Sequence, residues 1–206
     1  MRNASAHNVG EGPGELLFQL ERVGDIEVGV GVSVPIRIGS VAPLTGSQSH
    51  IGKDNDNGAR LAIEEVNAQG LTLGGKPVTL ELVSEDDAAD PKTATNVAQK
   101  LVDQGVKAVI GHLNSGTTIP ASKIYHDAGI PQISPSATAT AYTAQGYKTA
   151  YRVMANDAQQ GKALGQYATR LGKRVAVVDD RTAYGQGLID EVVKVFLRRS
   201  RRRAAA

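Results

Sequence analysis

One stretch, Ala108 to Thr143, constrains what this chain can fold into more than any other. Ala108-Val109-Ile110 is a short apolar run closed by Gly111, the pattern of a buried strand. His112-Leu113-Asn114-Ser115-Gly116-Thr117-Thr118 follows, crowded with small hydroxyl residues. From Ala121 the apolar positions Ala121, Ile124, Tyr125 and Ala128 keep the i, i+3, i+4, i+7 spacing of one helix face. Gly129 stops that helix, Ile130 to Ser134 reads as a second strand, and a second hydroxyl cluster follows at Ser134, Ser136, Thr138 and Thr140. In a parallel sheet two such loops lie side by side at the carboxyl ends of their strands, where open α/β folds bind ligands. A single serine or threonine caps a helix or fills a turn about as readily as it binds anything. Two clusters on one edge favour a small polar ligand.

The rest of the chain keeps the same alternation. Ile36 to Val41 reads as a first strand, and Ala42 to Gly52 as a polar loop of functional length. Ala59, Ala62, Ile63 and Val66 then mark a helix face, and Val78 to Val83 a strand. Asp90 and Pro91 suit the N-cap and first position of a helix whose apolar face is Ala94, Val97, Ala98 and Leu101. Beyond Thr143 come a Tyr151-Arg152-Val153 strand, a helix with Leu164, Ala168 and Leu171 inward, and a buried strand from Arg174 to Val178. A last helix runs from Leu188 to Phe196. Strands alternating with helices predict an α/β fold with a doubly wound, mainly parallel sheet. The expected divisions are a weakly structured extension over 1–35, a first α/β unit over 36–155, the start of a second over 156–197, and an Arg/Ala-rich tail over 198–206. A helix in that last position should lead to a further strand, so the second unit is expected to be unfinished.

Composition narrows the chemistry. The chain has 206 residues, 4% aromatics and no tryptophan, a poor basis for stacking on nucleic-acid bases. Cysteine is absent, which excludes disulfides, thiol nucleophiles and zinc thiolates. The formal charge of +2 hides five arginines at Arg198, Arg199, Arg201, Arg202 and Arg203, without which it becomes −3. That basic run is expected to be a solvated, disordered end. Glu85-Asp86-Asp87 reads as a solvated turn beside a helix cap, and His50, His112 and His126 lack metal-ligand spacing. His112 is expected to satisfy a loop hydrogen bond. Neither a GxSxG elbow, a P-loop nor a complete dinucleotide fingerprint is present, and no nucleophile is paired with a base. The expectation is a binding protein, not an enzyme, with no cofactor and no metal. No run approaches the roughly 18 apolar residues of a membrane span, and Met1 to Pro35 lacks the pattern of a secretory signal.

Five motifs in order carry a resemblance: Gly39 to Gly52 around Pro43-Leu44-Thr45-Gly46; Asp86-Asp87 with Asp90-Pro91; Val109-Ile110-Gly111-His112; Ser134-Pro135-Ser136-Ala137-Thr138; and Asp180 with Tyr184-Gly185-Gln186-Gly187. Over about Ile36 to Val195 the chain resembles the periplasmic leucine/isoleucine/valine-binding proteins of branched-chain amino-acid ABC transporters. That resemblance implies two α/β lobes closing over an amino acid, periplasmic localisation, and the membrane subunits of a transporter as partners. It implies that Ser115 and the backbone amides near it, with Leu113 and Asn114 in the same loop, hold the ligand carboxylate. Thr138 would touch both ligand ends, Ser136 would offer its carbonyl to the ammonium beside Ala137, and Tyr184 would be the second lobe's first contact. Ile51 stands where many relatives carry an aromatic near the ligand side chain. The acid that pairs with the ammonium comes, in the family, from beyond the position of Phe196. The alternative ligands are an amide, urea or an aromatic acid. A sugar-responsive regulator would need an N-terminal helix-turn-helix, which Met1 to Pro35 does not suggest. An unfinished lobe would expose apolar faces and invite self-association.

Overall fold

The computed structural model describes residues 19–23, 26–30, 34–172 and 174–204, with side chains described over 35–172 and 174–198. Strands β1 (Gln19–Val23) and β2 (Ile26–Val30) form an antiparallel pair separate from the main sheet. The remainder of the 1–35 segment, and with it most of the expectation placed there, lies outside the described residues.

The main sheet has six strands in the order β4-β5-β3-β6-β7-β8. They are β3 (Val34–Ala42), β4 (Thr72–Leu73), β5 (Lys76–Asp86), β6 (Ala108–Gly111), β7 (Gln132–Ser134) and β8 (Ala150–Arg152). All neighbours are parallel except β4, which turns back on β5 through Gly74 and Gly75. The helices are α1 (Ser49–Ala68), α2 (Pro91–Asp103), α3 (Ser115–Asp127), α4 (Thr140–Ala144), α5 (Asp157–Leu171) and α6 (Ala183–Ala204). Successive side chains of a strand point to opposite faces, and the sheet uses both. Val41 and Val109 join Val97, Ala98, Leu101, Ala121, Tyr125 and Ile130 in the core against α2 and α3. On the other face the Ser84 hydroxyl donates to Asp56 of α1 at 2.6 Å, and Asn67 of α1 exchanges two hydrogen bonds with Leu80. The sheet is doubly wound, as expected from the alternation.

Helix α2 starts where its sequence places it. Asp90 accepts from the Thr93 amide at 2.7 Å, Pro91 follows at the first position, and Ala94, Val97, Ala98 and Leu101 are buried. The polar loop after β3 is shorter than its composition suggests, because α1 already begins at Ser49.

The second unit departs from the reading of its sequence. Arg174 to Val178, expected as a buried strand, carries no regular secondary structure, and Val178 is 89% exposed. A strand is held by a neighbour's ladder, and among the described residues none pairs with this one. Helix α5 buries Asp157, Gly161, Gly165 and Thr169, while Leu164 and Leu171, expected inward, are exposed. The glycines decide this. A methyl group at Gly161 would sit 2.5 Å from the Glu191 side chain, and one at Gly165 2.7 Å from the Val192 carbonyl, so their absence lets α6 lie directly on α5. Helix α6 begins at Ala183 and runs through the arginines to Ala204, where a disordered end was expected. Arginine and alanine are strong helix formers, and cations suit a helix C-terminus.

Candidate functional site

The chain reverses direction of winding at β3, with β5 on one side and β6 on the other. The crevice at the carboxyl ends of β3 and β6 is therefore the place where such sheets receive ligands. Three loops meet there, after β3, β6 and β7. Gly111 makes the close approach possible: its φ is +124°, and a side chain there would overlap the Val41 carbonyl.

Most of the polar side chains in these loops fasten the loops to one another. The Asn114 amide donates to Gln48 at 2.7 Å, tying the β6 loop to the β3 loop. The Ser136 hydroxyl donates to the Leu113 carbonyl at 2.7 Å, and Ser134 donates to the His112 carbonyl at 2.7 Å, tying the β7 loop to the β6 loop. The Ser115 hydroxyl, buried, accepts from the Ala139 amide at 3.1 Å. Arg152 donates to the carbonyls of Ala137 and Ala139, both at 3.0 Å.

The acidic run serves the same end and is not a solvated turn. Asp86 accepts from the Leu44 amide at 2.8 Å and from the Thr45 hydroxyl at 2.5 Å, which fixes the β3 loop. Burial alone would raise its pKa, but the Thr45 hydroxyl and the amides of Ala88, Leu44 and Thr45 outweigh it and hold the carboxyl below its ordinary range. Glu85 pairs with Lys100 at 2.7 Å. Asp87 is fully buried against His112 Nδ1 at 2.8 Å, and His112 Nε2 meets the Tyr125 hydroxyl at 3.1 Å. His112 thus belongs to a buried network reaching from the β5 end into α3. Its isolated place in the sequence shows neither partner. Among the described residues no group of acids and histidines is arranged to hold a metal.

After this fastening, a few groups stay free. The amides of Thr117 and Thr118 turn back to the Asn114 carbonyl, and those of Ser115 and Gly116, first in α3, have no carbonyl one turn behind them. The Thr138 hydroxyl, 2% exposed in total, has no hydrogen-bond partner, nor has the Asn114 side-chain oxygen. Both oxygens of Asp157, a residue the sequence reading passed over, are also buried without one. The Asp157 amide donates to the Thr138 carbonyl at 2.8 Å, and its carboxylate lies against α6 at the start of its second turn, 3.1 Å from where a Gly187 side chain would start. Burial pushes its pKa up and Glu191 adds to the rise, while the Thr138 hydroxyl, near the carboxylate but outside hydrogen-bond geometry, and the Arg152 charge pull it down. Its only signal in the sequence is the capping box of Asn156 and Gln159 around it.

The expected site residues are partly brought together. Leu113, Asn114, Ser115, Ser136, Ala137 and Thr138 share the crevice through the bonds above. Tyr184 reaches its edge: Ala183 lies 3.8 Å from the side-chain position of Gly116, so the first turn of α6 meets the first turn of α3. Tyr184 is 44% exposed, and Ile51, in the first turn of α1, is 45% exposed.

Residues 35–198 match the family model described as periplasmic binding protein. The chain is 44% identical over 172 residues to the Leu/Ile/Val-binding protein homolog 1 of Brucella melitensis, covering 82% of this chain and 43% of that protein. A solved branched-chain amino acid transporter substrate-binding protein of Streptococcus pneumoniae, in complex with isoleucine, superimposes with a TM-score of 0.71 at 31% identity, over 79% of this chain and 47% of that one. A solute-binding protein of R. palustris, in complex with benzoate, does so with a TM-score of 0.69 at 29% identity, over 79% and 45%. The chain thus spans less than half the length of these relatives.

Proposed function

Because this chain belongs to the periplasmic binding protein family, we propose that it supplies the carboxylate-holding lobe of a solute-binding protein that presents a branched-chain or related amino acid to an ABC transporter in the periplasm. The observation that carries this reading is the buried, unpartnered Thr138 hydroxyl beside the free first amides of α3. A carboxylate leaving water needs convergent donors, and a hydroxyl with helix-start amides is such a set. Asp157 adds negative charge behind Thr138, which suits an ammonium and favours an amino acid over benzoate. The role is binding rather than catalysis, with Ser136 and Ser115 holding the loops in register.

Calorimetric titration of leucine, isoleucine, valine and benzoate into the 206-residue chain tests the reading. The 206-residue chain spans less than half the length of its relatives, and a site short of a buried charge partner loses about 3–5 kcal/mol. Binding of the chain alone is therefore expected near the millimolar range, about −4 kcal/mol, with the amino acids ahead of benzoate. Thr138→Val should weaken it by a further ~1–3 kcal/mol. Benzoate binding more tightly than the three amino acids would overturn the proposal.

A further inference from the structure

The His112 ring is fully buried and has a partner on each side, Asp87 at 2.8 Å from Nδ1 and the Tyr125 hydroxyl at 3.1 Å from Nε2. A carboxylate oxygen accepts, so Nδ1 carries the proton that meets Asp87. Burial, and then the charge of Asp87, raise the Tyr125 pKa, so the phenol keeps its proton and donates to Nε2. The ring that satisfies both partners is the Nδ1–H tautomer. Asp87 is itself held to the sheet. Its other oxygen accepts from the Ala89 amide at 3.0 Å, and its own amide donates to the Ala42 carbonyl at the end of β3 at 3.3 Å.

The main chain of the same residue gathers two more groups. The His112 carbonyl accepts from the Ser134 hydroxyl of β7 at 2.7 Å and from the Thr118 hydroxyl of α3 at 3.1 Å. Helix α3 is therefore anchored to His112 twice, through Thr118 in its first turn and Tyr125 in its last, about 10 Å apart along the axis. Two anchors on one residue, tied to the sheet through Asp87, fix where the helix starts and which way it points. The free amides of Ser115 and Gly116 lie at that start. We infer that His112 is the positioning residue of the site: clamped between Asp87 and Tyr125, it aims the Ser115 and Gly116 amides at the ligand carboxylate. The inference rests on the carboxylate-binding reading above. A buried polar network with every member paired holds one arrangement, and removing a member leaves its partner unpaired and the arrangement loose.

Nitrogen NMR of the 206-residue chain reads the ring directly, because the two neutral tautomers interchange the signals of Nδ1 and Nε2. The Nδ1–H pattern is expected. Tyr125→Phe, which removes a single oxygen, should shift Nε2 towards an unbonded ring nitrogen and move the amide signals of Ser115 and Gly116. It should also raise the leucine Kd several-fold, with the helical signal in circular dichroism unchanged. His112→Ala should weaken leucine further, and His112→Asn, which returns a donor to Asp87, should recover part of that loss. Ile63→Ala, a buried truncation in α1 on the opposite face of the sheet, should lower stability yet leave both amides and the leucine Kd unchanged. An Nε2–H ring would overturn the proposal. So would Ser115 and Gly116 amides that stay put in Tyr125→Phe, or that move as far in Ile63→Ala. Leucine that leaves those two amides of the parent unmoved would overturn their role in binding, and the ring signals tell that failure from a failure of the clamp.

Discussion

β6 and the segment from Arg174 to Val178 read alike as sequence: a few apolar residues after a helix, followed by a polar loop and another helix. In the fold they are opposites. Val109 of β6 is fully buried between β3 and β7, whereas Val178 is 89% exposed. Apolar content states what a segment would gain by burial, and only a neighbouring strand delivers it. The same contrast holds for the helices. Helices α2 and α3 bury alanines, Leu101 and Tyr125 against the sheet, while α5 buries two glycines against α6 and leaves Leu164, Tyr167 and Leu171 outside. Among the described residues, the stretch from β3 to β8 has a core packed against a sheet, and the stretch from α5 onward is a close helix pair with no strand of its own.

The largest expected difference between the two regions is in unfolding. Leu101→Ala removes a side chain with no exposure from the centre of the core and should cost about 2–5 kcal/mol in urea denaturation. Val178→Ala, the same kind of truncation in the unpaired segment, should stay within about 0.5 kcal/mol. Equal losses would mean that the segment is packed and the contrast false.

Two acids sharpen the comparison through pH. Asp86, inside the first unit, has a folded pKa held below its unfolded value of about 3.9. Its stabilisation is therefore present above that value and lost as pH falls through the folded pKa. Asp157, where the units meet, is shifted up, chiefly by burial. Its contribution is full below about pH 3.9 and is lost as pH rises through the folded pKa, so its ionised form weighs against folding. Thermal melts across pH should show Asp86→Asn less stable than the parent at neutral pH and Asp157→Asn more stable. Destabilisation by Asp157→Asn at neutral pH would show that its carboxylate has a partner.

The smallest effect concerns the end of α6. Removing residues 197–206 should shorten the helical signal in circular dichroism by about eight residues, the part of α6 that it contains, while changing stability by no more than about 0.5 kcal/mol. An unchanged helical signal would return the arginines to a disordered tail.

Much of the first unit was legible from periodicity and punctuation. Asp90-Pro91 marked the start of α2, and the hydroxyl clusters marked the loops after β6 and β7, because caps and glycine stops act over a few residues. The positions of Ser115, Ser136 and Thr138 on one crevice followed from the strand order expected of alternating elements. Their individual duties did not follow. That Ser136 spends its hydroxyl on Leu113 while Thr138 keeps its own free depends on which loop lies across from which, and no local spacing encodes that.

The sequence by itself determined the alternation of strands and helices, the two hydroxyl loops and the absence of thiol chemistry, since each rests on residue type and short-range period. Tertiary structure alone decided the rest. It bound His112 to Asp87 and Tyr125, set Asp86 to pin the β3 loop, hid Asp157 behind Thr138, and gave the valines after α5 no strand partner among the described residues. The physical reason is common to all four. Burial and hydrogen bonding are properties of pairs of segments far apart in the chain, and a residue's type fixes what it can offer but not what it meets.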